Sequence, residues 1–292
     1  MESFSIHREA RIGSVHLTVR NLLRTKQFYC DLLGFSERAY TGNALSLSAN
    51  GSAPLLGFHE NPEASPRSTR TTGLYHFCVL VPDRRVLARL LHRISETHTH
   101  VQGLVDHHFS ESIYLADPDG NGIELSCDRA RDVWQSWETF LRVGNAPLDV
   151  EGLNAALAAS PASWDGLPDG TTIGHIHLHV GDLDEAEGFY HGVLGFDLMA
   201  QIPHQARFVA AGGYHHHIAF NLWAGAGALP PPPEAAGLRY FTIELPDRKE
   251  QDHLIDRVRR AGLPMEEDER GVILHDPSMN TVVLTSTSTS RS

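Results

Sequence analysis

The sequence predicts an α+β fold assembled from four βαβββ units, and three observations predict it. The segment IGSVHLTVRNLLRTKQFYCDLLGF, beginning at Ile12, matches IGHIHLHVGDLDEAEGFYHGVLGF, beginning at Ile173, at 11 of 24 positions with an offset of 161. A match of that length marks an internal duplication. GLYHFCVLVPDR from Gly73 echoes GLRYFTIELPDR from Gly237 at an offset of 164. Within each half, a stretch of period two precedes one of period 3.6, and short strands follow, so each half holds two units.

In the first unit Val15, Leu17 and Val19 lie on one side of a strand and His16 and Thr18 on the other. Leu22, Phe28, Leu32 and Leu33 then give a helix its apolar face, and Gly34 stops it. The second unit repeats the order with a strand over Tyr75 to Val81, a helix from about Arg84 to Glu96, and strands ending in SIYLADPDGNGIEL. There, Asp117 to Gly122 are turn formers between two apolar runs, which is a hairpin signal. Residues 128–170 read as a helical connector: DRARDVWQSWETFL is followed by Pro147, Pro161, Gly166, Pro168 and Gly170. Trp134, Trp137 and Trp164 are expected to pack against a domain. Pro230 to Pro233 form a stiff linker between the third and fourth units, and residues 287–292 a disordered tail. The expected organisation is an N-terminal domain over 10–127, the connector, and a C-terminal domain over 171–286.

Composition excludes several classes of function. With 36 acidic and 24 basic residues the chain carries a formal charge of −12, and no long Lys/Arg block offers itself to a phosphate backbone, so nucleic acid is not an expected partner. No apolar run approaches the length of a membrane span, and MESFSIHREARIG lacks the order of a signal peptide; no membrane partner and a cytoplasmic location are expected. Cys30, Cys78 and Cys127 are far apart and form no CxxC pair, so any metal must be held by histidine and carboxylate. The chain has 19 histidines.

The HLxV…FYxxxLGF opening, the YLADPDGNGIEL ending, and the GLYHF, GHIHLHV and GGYHHH segments resemble the vicinal oxygen chelate superfamily of glyoxalases, bleomycin-binding proteins and type I extradiol dioxygenases. Within it they resemble the two-domain bacterial catechol 2,3-dioxygenase-like group, over about residues 10–285. The resemblance implies two cupped mixed-sheet domains, with metal ligands on the first strand of each unit and the last strand of the second. Those positions are His16, His76 and Glu124. Two imidazoles and a carboxylate form the facial triad suited to non-haem Fe(II), with Mn(II) as the alternative, and leave open positions for a diol and dioxygen.

In the second half His16 corresponds to His177, His76 to Tyr240 and Glu124 to Val283. A valine cannot ligate, so the working site is expected in the N-terminal half. Tyr114, ten residues before Glu124, matches the tyrosine that hydrogen-bonds substrate in extradiol enzymes, and His107 is the candidate for handling a proton. HIHLHV and GGYHHH suggest a second cluster of His177, His215 and His217.

The expected activity is extradiol cleavage of a small catechol-type or hydroquinone-type ring with Fe(II) and O2, by a chain that can form a homo-oligomer. A glyoxalase-like lyase or isomerase is the alternative, for which His59 or Glu60 would supply a fourth ligand. A non-catalytic binding protein is the other.

Overall fold

The computed structural model describes residues 4–51, 53–159 and 164–287. Unit one comprises β1 (Arg11–Val19), α1 (Leu22–Lys26) running on as a π-helical turn through Leu32, β2 (Ser36–Thr41), β3 (Ala44–Ser48) and β4 (Leu56–Glu60). Unit two comprises β5 (Gly73–Leu80), α2 (Arg84–Glu96), β6 (Val101–Asp106), β7 (Ser110–Ala116) and β8 (Gly122–Asp128). The connector holds α3 (Trp137–Val143), β9 (Ala146–Pro147) and α4 (Val150–Ala158). Unit three runs through β10 (Thr172–His179), α5 (Leu183–Glu187) with its own π-helical turn, β11 (Asp197–Ile202), β12 (Ala206–Ala210) and β13 (Ile218–Asn221). Unit four follows as β14 (Gly237–Leu245), α6 (Arg248–Arg260), β15 (Glu266–Asp268), β16 (Gly271–His275) and β17 (Thr281–Ser286).

The helices start where side chains cap them. Asp83 accepts from the backbone N–H groups of Arg85 and Val86 at the head of α2, and Asp247 from that of Glu250 at the head of α6. These aspartates are the acidic residues of the repeated PDR motif, and each satisfies donors that the first helical turn leaves free. Gly34 and Gly195, both at φ +83°, end the helical stretch of the LGF motif in the left-handed region.

The units do not pair as neighbours in sequence. One sheet has the order β15-β16-β17-β14-β1-β4-β3-β2 and so joins units one and four; the other, β11-β12-β13-β10-β5-β8-β7-β6-β9, joins units two and three. Each of the expected domains, 10–127 and 171–286, thus contributes one unit to each sheet instead of closing a sheet of its own. Within a unit the last strand pairs parallel to the first, which leaves the first strand with one open edge. That edge closes antiparallel on another unit, β1 on β14 and β5 on β10. Duplication shows which units are alike but not whose edges meet.

The two sheets are tied together by the motifs that reveal the repeat. Tyr29, fully buried in unit one, donates its hydroxyl hydrogen bond to Asp117 of unit two at 3.2 Å; Tyr190 in unit three does the same to Asp276 of unit four at 2.9 Å. Each aspartate also organises its own hairpin: Asp117 accepts from the Asp119 and Asn121 backbone and the Asn121 amide, and Asp276 from the corresponding groups of Ser278 and Asn280. The tyrosine of FYxxxLGF is thus the partner of the aspartate of DPDGN and DPSMN. One continuous apolar core, including Leu17, Phe77, Leu125, Leu178 and Phe241, fills the space between.

Trp164 packs over Gly34, where a Cβ would fall 2.4 Å from its ring, and Arg93 lies across it at 5.1 Å. The three cysteines are free thiols, and Pro230 to Pro233 lie in coil between β13 and β14. No helix among the described residues is long and apolar enough to cross a membrane. Of the expected tail, residues 288–292 lie outside the described residues, while Thr287 still bonds the Leu245 carbonyl.

Tyr190→Phe removes a hydrogen bond to a buried carboxylate without changing shape. A loss of about 1.5–3 kcal/mol is expected, read as a lower urea midpoint with an unchanged m-value.

Candidate metal centre and its cavity

Three strands deliver one cluster. His76 on β5 and Glu124 on β8 sit on neighbouring parallel strands, with Cys78 opposite Glu124 and His76 opposite Gly122. Gly122 is required there, since a Cβ would lie 2.2 Å from the Tyr75 carbonyl oxygen and 3.0 Å from the His76 Cβ. The third member, His175, comes from β10. The β10–β5 ladder passes from Ile173 opposite Val79 to Ile176 opposite Phe77, so three residues of one strand face two of the other. This is a bulge, and it aims His175 at the carboxylate. His175 Nε2 lies 2.9 Å and His76 Nε2 3.1 Å from Glu124 Oε2, and the two nitrogens are 3.4 Å apart.

All three residues are buried, at 6%, 2% and 2% exposure for His76, Glu124 and His175. Burial opposes ionisation of Glu124, yet the flanking imidazoles of His175 and His76 hold its carboxyl well below the usual range. Burial also lowers His175, against the pull of Glu124. The result is two imidazole nitrogens and one carboxylate oxygen converging from three strands, a donor set that fits a divalent metal. Among the described residues this is the one group of three His, Cys, Asp or Glu side chains close enough to share an ion.

Tyr114 and His107 stand beside the cluster. Tyr114 on β7 is directly opposite Glu124, and its hydroxyl is 2.7 Å from His107 Nε2, which in turn lies 3.8 Å from Glu124 Oε1. His107 Nδ1 is 2.8 Å from Asn145 Oδ1, an acceptor. In the tautomer that donates Nδ1–H to this oxygen, Nε2 is free to accept from the phenol. Burial, reinforced by the Glu124 charge, pushes the Tyr114 phenol well above its ordinary range and keeps it a donor.

His16 is not part of this cluster. It lies in the other sheet, stacked on Tyr240 with ring centroids 4.1 Å apart, and its Nε2 is 3.0 Å from Ser14 Oγ. Burial, helped by Arg239 and Arg270, lowers it to about 4. In the repeat His16 corresponds to His177 and Ser14 to His175, so the strand position that joins the cluster is two residues earlier than the one expected. The signal was present in the sequence, because HIHLHV carries a histidine where SVHLTV has Ser14. The cluster is thus not confined to residues 10–127, since unit three contributes His175 to it.

The second cluster does not assemble either. His177 hydrogen-bonds Asn221 at 2.8 Å, His215 meets His216 at 2.8 Å and Asp128 at 3.3 Å, and His217 Nδ1 accepts from the Ala211 backbone. Their polar atoms are committed to different partners. His216, absent from the expected cluster, packs tilted on His175 with ring centroids 4.1 Å apart and faces the cavity.

That cavity, of about 420 Å³, opens over the triad. Phe109, Val105, Ile202, Phe208 and Trp223 make most of its wall apolar, and the connector closes one side with Trp137, Phe140 and Asn145. Trp137 thus lines the site rather than only packing, while Trp134 packs on Phe109 and Tyr214.

The model of the Glyoxalase/Bleomycin resistance protein/Dioxygenase superfamily matches residues 11–125 and 172–284. The chain belongs to this superfamily. It is 46% identical over 276 residues to the catechol-2,3-dioxygenase of Bacillus subtilis (strain 168), covering 94% of this chain and 96% of that one. Among solved structures, a Bacillus subtilis protein superposes with a TM-score of 0.65 at 12% identity, over 97% of this chain and 86% of that one. Glyoxalase I from Zea mays superposes at 0.57 and 16% identity, over 95% and 92%. These two likenesses show a shared fold. Trp137, Phe140 and Asn145 lie between the two segments that the superfamily model matches.

Burial holds His177 and His216 well below the ordinary imidazole value, His16 at about 4 and His217 at about 3. The unfolded chain takes up these protons below pH ~6.5 and the native one does not, so stability present above that pH is lost as pH falls toward the folded values. Urea midpoints of the chelator-treated protein are expected to fall steadily from pH 6.5 to 4, with a shallower slope in His217→Asn.

Proposed function

We propose that the protein is an extradiol dioxygenase in which His76, Glu124 and His175 hold a divalent metal, Fe(II) in preference to Mn(II), and that it opens a catechol ring with O2. The observation that carries this reading is the convergence of two imidazoles and one carboxylate beside the Tyr114–His107 pair, in a chain 46% identical to a catechol-2,3-dioxygenase over nearly its whole length. When bound, the metal supplies a Lewis acid and an electron path between ring and oxygen, with positions left open for both.

The chain's own groups handle the diol and its proton. Tyr114 Oη, kept un-ionised, hydrogen-bonds a substrate oxygen. As the diol binds it gives up a hydroxyl proton; Tyr114 receives that proton on Oη while passing its own to His107 Nε2. Asn145 holds the opposite nitrogen protonated, so that Nε2 presents its lone pair. The apolar wall of Phe109, Phe140 and Phe208 excludes water from the ring. Both oxygen atoms enter the product, a ring-opened semialdehyde acid, and no external reductant is consumed.

The lyase reading loses support because His59 and Glu60, its candidates for a fourth ligand, lie on β4 in the other sheet.

Protein loaded anaerobically with Fe(II) is expected to take up O2 and yield a yellow product with catechol; absence of uptake with every catechol and hydroquinone tried would overturn the proposal. His175→Ala and Glu124→Gln should lose bound metal, while His16→Ala retains it at the wild-type level. The reverse pattern, read by elemental analysis, would move the site to the other sheet.

Among the described residues no Lys or Arg lines the cavity. An uncompensated buried charge costs several kcal/mol, so kcat/KM for 3,4-dihydroxybenzoate should be on the order of 100-fold below that for catechol.

A further inference from the structure

Glu124 faces the two imidazoles through Oε2 only. Its other oxygen, Oε1, accepts hydrogen bonds from Ser112 Oγ at 2.7 Å and Ser126 Oγ at 2.8 Å. These serines are cross-strand partners on β7 and β8, exposed by 0% and 1%, and their hydroxyls touch each other at 2.5 Å. Each hydroxyl has one proton and one buried anion within reach, and a carboxylate oxygen has lone pairs for both.

The other sheet provides an internal comparison. Tyr114 is opposite Glu124 as Ile273 is opposite Val283, so Ser126 corresponds to Thr285 and Ser112 to Gly271. Where the carboxylate has become Val283, one hydroxyl has become Gly271 and the other, Thr285, turns to the Ile243 carbonyl. Val283 sits instead in a small apolar cluster with Tyr240 and Ile273. The serine pair accompanies the carboxylate and is absent where the carboxylate is lost.

We propose that Ser112 and Ser126 are positioning residues that hold Glu124 to ligation of a divalent metal through Oε2 alone; this rests on the metal-site reading above. A free carboxylate can swing to present both oxygens, and the second would take one of the three positions that the diol and dioxygen need. With Oε1 engaged by two hydroxyls, that swing must break both hydrogen bonds in a buried site. The serines touch neither substrate nor metal and act only through Glu124.

The test uses Mn(II) as the probe. Water-proton relaxation of the Mn(II)-loaded protein reports how many coordination positions are held by exchangeable water. Wild type is expected to show three, and Ser112→Ala/Ser126→Ala about one-third fewer, with kcat/KM for catechol lower by roughly 10–100-fold. Ser126→Thr, which keeps a hydroxyl, should preserve the wild-type water count, and the single Ser126→Ala variant gives the comparison if the double variant does not fold. A wild-type water count in both alanine variants would overturn the proposal. If wild type itself binds no Mn(II), the metal-site reading fails and the positioning role fails with it, an outcome distinct from unchanged water in a metal-loaded variant.

Discussion

The antiparallel ladder between β5 and β10 is the interaction on which the candidate site depends. It closes the open edges of units two and three, and its bulge turns His175 toward a carboxylate carried by β8. A regular ladder would satisfy the same backbone groups, but it would not give three strands a common focus. The bulge is repeated between β1 and β14, where Ser14 occupies the position of His175. The backbone device therefore belongs to the fold, and the side chains placed on it decide whether a donor set results.

Across the two sheets the same scaffold has two outcomes. In one, His76, Glu124 and His175 converge, with Tyr114 and His107 beside them. In the other, Tyr240, Val283 and Ser14 take those places, His16 stacks on Tyr240, and the anionic centre is replaced by apolar contact. Burying a lone carboxylate is costly, and where Val283 stands in place of Glu124, Tyr240 and Ser14 stand in place of His76 and His175 and Gly271 in place of Ser112. The position of the site follows from which strand combination kept its charge balance.

Motifs that identify the repeat serve mostly to fasten it. The tyrosines of FYxxxLGF reach the aspartates of DPDGN and DPSMN, linking units one to two and three to four across the sheets, while the ladders link one to four and two to three. Each unit is thus held to two others by different means. The connector adds a wall to the cavity and, through Asn145, a hydrogen-bond partner for His107 Nδ1.

The chain by itself determined the four units, the strand and helix order within each, the hairpin at Asp117 to Gly122, and six residues that the structure places in one cavity wall: His76, His107, Tyr114, Glu124, His177 and His215. The units and the hairpin are local, set by periodicity, capping and turn chemistry, whereas His76, Glu124, Tyr114 and His107 came from the likeness of their motifs to the superfamily. Tertiary structure decided the rest: that unit two pairs with unit three, that a bulge brings in His175 instead of His16, and that Trp137 faces the cavity. These depend on which open edges meet. An edge presents the same backbone N–H and C=O groups whatever side chains flank it, so the pairing is settled only when whole sheets pack on a shared core.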